Sequence, residues 1–443
     1  MTRLQPLLDS LSDLINLEKL WDDVRSSLWF IPTAWMLALG AAAVSLNTLD
    51  RVLHGRGLYE PLPLIFKSEP DQMRDMLTVI ASSMLTVVSL AFSLTMIAVV
   101  QTANAYSPQI LREYLRDRYN QHVLGIFVGT FVYAILVLRN TSASQESFTP
   151  VLGHNGALLL AIVATLALIA FIDHVTRSIK VNNIIHRLVN TVTDTLDADA
   201  EVGQPSPDFP GADPDAARAT LRSGSNGYIR LINGERALAL AEEHDLIVRF
   251  HARVGDYIIR GGALAEVEGE ASDEARDALR ATLVLSSERS MVQDHRHGLG
   301  HLVDIALRAL SPGINDPTTA IDALHAITTL LGRIARTHTR RSEHRADAGG
   351  APRLELPGTD FRGYLAETLH PILHYGGSDP RVAVELVEAI ARLGEVVPHA
   401  EERDALRDTL RQVQEGAAQH HYTAYEQQRF TERLAQVDLQ LTG

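Results

Sequence analysis

The chain has no cysteine among its 443 residues. Disulfides, thiolate metal ligands and cysteine nucleophiles are therefore excluded. It also lacks a concentrated block of lysine and arginine, and its formal charge is −14. Because phosphate contacts need clustered basic side chains, we do not expect a nucleic-acid partner. No Ser-His-Asp spacing, phosphate-binding glycine loop or paired-carboxylate site is recognisable, so the sequence predicts neither an enzyme nor a bound cofactor.

Long uncharged runs are concentrated in the first half of the chain. A membrane helix needs roughly 20 predominantly apolar residues. Four runs qualify, at about 28–48, 76–100, 121–138 and 157–173. Residues 1–27 are mixed in charge and amphipathic, unlike a cleavable signal peptide. The sequence thus predicts a cytoplasmic N-terminal segment at 1–27 and a transmembrane domain at 28–174.

The orientation of the spans follows from the lysines and arginines near their ends. One side carries nine: Arg3, Lys19, Arg25, Arg112, Arg116, Arg118, Arg177, Lys180 and Arg187. The other side carries five: Arg51, Arg56, Lys67, Arg74 and Arg139. This bias predicts that both termini are cytoplasmic.

The pattern of apolar and polar residues changes in the second half of the chain. Residues 175–223 are predicted as a helical extension followed by a proline-rich linker. Residues 224–269 alternate apolar and polar positions between glycines, which is typical of short strands, and predict a small β module. Residues 270–443 have helical spacing, with Asp316 and Pro317 as the cap and first residue of one helix. The fold class is therefore an α-helical membrane domain followed by a cytoplasmic α+β region, with a β-barrel-like module and an α-helical C-terminal domain.

The second span carries hydroxyl side chains on one face. At 100° per residue, Thr78, Ser82, Thr86, Ser89 and Ser93 lie within about 80° of each other, followed by Met96 and Val100 on the same face. One interpretation is helix packing, in which Ser and Thr bridge neighbouring helices. The other is the wall of a water-filled pore, with Met96 and Val100 as a hydrophobic gate. Four spans leave little room for a channel within one subunit, so the pore would require a homo-oligomer.

Two further patterns concern the membrane. Gly125 and Gly129 form a small-xxx-small pattern that indicates close helix packing. The loop before the third span places Arg112, Arg116 and Arg118 beside aromatic residues, which favours contact with anionic lipid headgroups. Asp173 is expected to pair locally with Arg177.

A histidine-rich stretch, QDHRHGLGHLVD, precedes a helix of the second half. His297, His301 and Asp304 could share one helical face, which makes them weak candidates for metal ligands. Gly298 and Gly300 disturb that helix start. The favoured interpretation is a solvated or capping cluster without metal.

Four segments carry a family resemblance: SPQILREYLRDRYNQHVLGIFVGTFVYAILVLR, FIDHVTRSIKV, GDYIIRGGAL and LVDIALRALSPGINDPTTA. Through them the chain resembles a bacterial family of membrane proteins known only as a domain of unknown function. The resemblance implies four spans and a large cytoplasmic part, without an assigned activity. We expect the protein to lie in the bacterial inner membrane. The leading functional hypothesis is a homo-oligomeric channel for a small ion or solute. The alternative is a non-conducting scaffold or sensor anchored in the membrane.

Overall fold

The computed structural model describes residues 29–55, 70–105, 118–143, 150–178, 180–201, 209, 218–337, 342–347 and 350–442. The chain divides into two compact units, Met1–Lys180 and Val181–Gly443. The predicted N-terminal segment 1–27 lies outside the described residues.

The N-terminal unit contains four long apolar helices. They are α1 (Phe30–Gly55), α2 (Pro70–Ala105), α3 (Arg118–Ala143) and α4 (Val151–Ser178). Each has at least 26 residues, or about 39 Å at 1.5 Å per residue, which exceeds the roughly 30 Å of a hydrocarbon core. The prediction of four apolar spans is confirmed.

Glycines bring α1 and α3 into close contact. A Cβ atom added at Gly125 would lie 2.6 Å from the Trp35 ring, and one at Gly129 would lie 2.7 Å from Leu39. Only a residue without a side chain fits at such distances. Both glycines of the small-xxx-small pattern therefore lie where α3 packs on α1.

Gly125→Ala is expected to destabilise the N-terminal unit by roughly 1–3 kcal/mol, because the added methyl group overpacks the contact with Trp35. Gly40→Ala, on α1 in the same interface, is the matched control. Its added Cβ would meet Leu136 at 3.6 Å, an ordinary contact. Thermal unfolding of the full chain in detergent checks the pair, and equal midpoints would contradict the close-contact account.

The C-terminal unit begins with helix α5 (Val181–Glu201) and contains two sheets. The strands and short helices that follow are β1 (Arg218–Arg222), β2 (Gly227–Ile232), α6 (Gly234–Glu243), β3 (Ile247–Phe250), β4 (Tyr257–Ile258), β5 (Ala263–Glu268), α7 (Asp273–Arg280), β6 (Leu283–Ser286), β7 (Ser342–Ala346) and β8 (Pro352–Pro357). One sheet has the order β1-β5-β3-β8-β7 and the other β4-β2-β6. Both contribute to one apolar core, which includes Ile229, Val248, Val267 and Leu354.

The sheets extend beyond the predicted module of 224–269. Strands β7 and β8 form a hairpin within a stretch that reads as a polar loop, and β8 pairs in parallel with β3. In β8 the buried Leu354 alternates with Glu355, whose carboxylate lies 3.7 Å from Arg249. Two apolar residues are too few for a clear alternating pattern, so the polar neighbours obscured the strand.

Six longer helices complete the unit, two before the β7–β8 hairpin in the chain and four after it. They are α8 (His295–Ala309), α9 (Pro317–Thr337), α10 (Phe361–Gly376), α11 (Pro380–Val396), α12 (Ala400–Ala417) and α13 (Ala424–Thr442). The predicted cap of α9 is confirmed, since Asp316 accepts the Thr319 backbone N–H at 3.1 Å. Hydrogen bonds from Thr319 also lower the pKa of the Asp316 carboxyl. Helix α13 starts after a capping box, in which Glu426 accepts the Thr423 backbone N–H at 2.8 Å.

Candidate functional site

The hydroxyl face of α2, defined by Thr78, Ser82, Thr86, Ser89 and Ser93, points away from its own unit. All five residues are exposed. The buried positions of α2 include Leu77, Met84, Ala91 and Ala98, which pack toward α3 and α4. At 100° per residue, the centres of the two faces are roughly 170° apart. Among the described residues of one subunit, the hydroxyl face is therefore not used for packing.

Each hydroxyl of this face donates to a backbone carbonyl of its own helix. Thr78 donates to Arg74 at 2.8 Å, Ser89 to Leu85 at 3.0 Å and Ser93 to Ser89 at 2.8 Å. Ser82 and Thr86 make the same kind of bond at 3.1 and 3.2 Å. The donors are therefore satisfied, while each hydroxyl oxygen keeps acceptor capacity for water or a neighbouring group.

Large apolar side chains flank the hydroxyl face on both sides. Leu85 and Phe92 are exposed on one side, and Val79, Leu90 and Ile97 on the other. Met96 and Val100 continue the hydroxyl face itself, with 43% and 50% of their surfaces exposed. The exposed half of α2 is thus a narrow polar strip between apolar margins, ending in an apolar pair.

A cluster of polar residues, which we call the polar junction, surrounds the first turn of α4. The sequence patterns did not indicate it. Asp50 of α1 is fully buried, and its carboxylate accepts the backbone N–H groups of Leu152 and Gly153 at 3.1 and 3.0 Å. The Tyr133 hydroxyl of α3 donates to the Gly153 carbonyl at 3.0 Å. Asp50 therefore supplies the partners that a helix N-terminus lacks. Asn47, whose Oδ1 atom lies against Gly153, and His154, the next residue of α4, are also buried.

This polar junction was missed because its charged and polar residues on α1 and α4 stand near the ends of apolar runs, where such groups are ordinary, and Tyr133 is a single aromatic residue inside another run. Two pairs of residues in the sequence could have indicated the junction. Asn47 and Asp50 are three residues apart on one helix, and Gly153 and Gly156 have the same spacing on another. Glycine at both positions lets polar side chains of other helices reach the α4 backbone. A Cβ at Gly153 would lie 2.7 Å from Asn47 Oδ1, and one at Gly156 would lie 2.2 Å from the Tyr133 hydroxyl.

The predictions for charged residues at the ends of the spans have different outcomes. Asp173 pairs with Arg177 at 3.0 Å, as predicted. Arg118 is the first residue of α3 and is exposed. Arg112 and Arg116 lie outside the described residues. Contact of these arginines with anionic lipid stays a prediction.

The histidine-rich stretch forms the start of α8. The carboxylate of Asp294 caps the helix by accepting the His297 backbone N–H at 3.0 Å, and it pairs with Arg289 at 2.7 Å. The rings of His297 and His301 are 4.3 Å apart between centroids. Asp304 is exposed. No group of three or more His, Cys, Asp or Glu side chains suited to a metal occurs in the part of the chain that the structure describes.

Both imidazoles are held in the neutral form. Burial lowers the pKa of His297 to about 4, and the nearby Arg289 guanidinium adds to the effect. Burial likewise lowers the pKa of His301 to about 4, with smaller contributions from His297 and Arg289. In the unfolded chain both groups would titrate near the ordinary value of about 6.5.

This difference predicts a pH dependence of stability. Between about pH 6.5 and pH 4 the unfolded chain binds protons that the folded chain excludes. The free energy of unfolding is therefore complete above pH 6.5 and falls as pH drops, by at most about 3 kcal/mol for each histidine. Hydrogen exchange of α8 amides in the full chain at pH 7 and pH 5, corrected for intrinsic exchange, measures it. His301→Asn should flatten the dependence and His421→Asn, at an exposed position, should not; equal slopes in all three proteins would contradict the account.

Four apolar helices long enough to cross a bilayer, followed by a unit of mixed sheets and helices, define a multi-pass membrane protein. A family model described as "Predicted membrane protein (DUF2254)" matches residues 25–392, and the chain belongs to this family. It is 29% identical over 397 residues to uncharacterized proteins of Mycobacterium bovis and Mycobacterium tuberculosis, covering 87% of this chain and 75% of theirs. No solved structure matches the chain.

Proposed function

We propose that the protein is a homo-oligomeric channel of the bacterial inner membrane. In this proposal the hydroxyl face of α2 lines a water-filled path for a small ion or solute. The C-terminal unit lies in the cytoplasm, where it assembles the subunits and responds to a stimulus.

The observation that carries the proposal is the direction of the hydroxyl face. Thr78, Ser82, Thr86, Ser89 and Ser93 are exposed on the side of α2 opposite its own unit. A face that packed on α3 or α4 would be unavailable to a pore. Because it faces outward, symmetry-related copies could bring it to a common axis.

The apolar margins support the same arrangement. In a ring of α2 helices, Leu85 and Phe92 of one copy would meet Val79, Leu90 and Ile97 of the next. The hydroxyl oxygens between these margins would then face the axis and accept hydrogen bonds from water. Met96 and Val100 would form an apolar constriction, which can close a pore by excluding water.

A non-conducting scaffold is the second candidate, and the internal hydrogen bonds of the hydroxyls favour it. Since each O–H group already donates to its own helix, the face can lie against lipid or a dry neighbouring helix at little cost. Such a protein would place the same residues in contact with lipid or protein and never with water.

Water access to α2 distinguishes the two candidates. Because the chain has no native cysteine, single-cysteine variants can be labelled without background. Thiol reagents are electrophiles that react with the thiolate, the nucleophilic form of cysteine, and the thiolate forms in water and not in lipid. We expect a membrane-impermeant reagent to modify Ser82→Cys, Ser89→Cys and Ser93→Cys on the order of tenfold faster than the controls Val79→Cys and Leu90→Cys.

The controls are matched because they lie on the same helix, over the same depth, and are exposed in the subunit. Equal and slow modification of all five variants would contradict an aqueous path and leave the scaffold. Fast modification that follows the hydroxyl face, with a period of 3.6 residues, is the expected result.

A further inference from the structure

The polar junction at the start of α4 contains more hydrogen-bonding groups than its helices satisfy. Asn47 is only 2% exposed and lies one turn before Asp50 on α1. Neither its Oδ1 nor its Nδ2 atom has a hydrogen-bond partner within the described residues. Its Oδ1 atom lies against Gly153, at 2.7 Å from the position of an added Cβ.

His154 repeats this feature on α4. The residue is fully buried. Its backbone N–H donates to the Pro150 carbonyl at 2.9 Å, so only its side chain needs further partners. Among the described residues, neither ring nitrogen has a partner. It follows directly after Gly153, so its Cα lies about 3.8 Å from that of the residue that Asn47 contacts.

The energetics require a partner for these atoms. Each buried donor or acceptor that stays unsatisfied destabilises the fold, and four such atoms belong to Asn47 and His154. A neutral imidazole needs one acceptor and one donor, and a carboxamide needs both kinds. Water supplies both, and buried waters characteristically bind groups of this kind.

Other ligands fit less well. A metal ion needs several convergent anionic or imidazole ligands, and no group of three is found in the described parts of the chain. An apolar molecule would leave all four atoms unsatisfied. We propose that the N-terminal unit binds water at an internal site formed by Asn47 and His154, beside the first turn of α4.

The proposed site places water among the packed helices, beside the first turn of α4. Asp50 and Tyr133 hold the backbone of Gly153, and water would complete the hydrogen bonds of the two neighbouring side chains. This inference is independent of the proposed channel, because none of these residues belongs to the hydroxyl face of α2.

Hydroxyl-radical labelling by X-ray radiolysis, read by mass spectrometry, tests the site in the full chain in lipid nanodiscs. Radicals form from bound water, so a buried side chain beside it is oxidised although bulk solvent does not reach it. We expect oxidation of His154, whereas Phe127 and Phe171, which are 0% and 2% exposed in the same unit, stay unmodified. Protection of His154 equal to that of the two phenylalanines would overturn the proposal, and this comparison needs no variant.

A variant then assigns the water to the pair. Asn47→Leu keeps a similar volume and removes the polar partner, so oxidation of His154 should fall by about fivefold or more. Unchanged oxidation in Asn47→Leu would overturn the assignment to Asn47. Continued protection of Phe127 and Phe171 in the variant verifies that the helices remain packed.

Discussion

Ser89→Leu is expected to lower the conductance of the reconstituted protein on the order of tenfold, because each copy would add an apolar side chain to a narrow water path. Ser89 lies near the middle of the hydroxyl face and is exposed. In an oligomer the substitution is repeated by symmetry, so its effect is multiplied around the axis. Met96→Ala should act in the opposite direction, since it shortens the apolar side chain that precedes Val100. Single-channel recording in planar bilayers measures both.

Ser83→Leu is the matched control for this experiment. Ser83 is exposed on the same helix, but it lies about 100° from the centre of the hydroxyl face. Its replacement should leave conductance unchanged. Equal losses in Ser83→Leu and Ser89→Leu, or conductance insensitive to both Ser89→Leu and Met96→Ala, would remove these residues from the path.

Asp294→Ala is expected to destabilise the C-terminal unit by about 3–5 kcal/mol. The carboxylate is almost fully buried, accepts two N–H groups of Arg289 at 2.9 and 2.7 Å, and caps α8. It also lies against Gly255, where an added Cβ would be 2.2 Å from Asp294 Oδ2. Its removal leaves a guanidinium without its partner and a helix without its cap.

Hydrogen exchange of α8 amides in the full chain reports this loss locally. Asp277→Ala is the control, because Asp277 also pairs with an arginine, Arg280, but 72% of its side chain is exposed. Exposed pairs contribute roughly 0–1 kcal/mol. If exchange rates rise equally in the two variants, burial does not determine how much Asp294 contributes to the stability of the C-terminal unit.

The features that the sequence predicted well are those encoded locally. Four apolar runs were long enough to indicate α1 to α4, and Asp316 followed by Pro317 marked the start of α9. The grouping of the five hydroxyl residues on one face also followed from periodicity, whereas the outward direction of that face came from the packing of α2 on α3 and α4. The break between α12 and α13 also has a local signal in the sequence, the Thr423 and Glu426 capping box.

Features that depend on distant parts of the chain were not predictable. Strand β8 has only Leu354 and Leu356 on its apolar face, and it is stabilised by pairing with β3, about a hundred residues earlier. The polar junction is similar, since Asp50, Tyr133 and Gly153 come from three helices. Each residue is unremarkable in its own segment, and only the packing of α1, α3 and α4 brings them together.

The central claim is that the hydroxyl face of α2 meets its own symmetry copies across water. A structure of the assembled particle in lipid nanodiscs tests this most directly, through the position of Ser89 relative to the symmetry axis. We expect a closed ring of subunits with Thr78, Ser82, Thr86, Ser89 and Ser93 around a central path, and with Met96 and Val100 at its narrow end. A monomer, or a ring whose hydroxyl faces point to lipid, would contradict the claim.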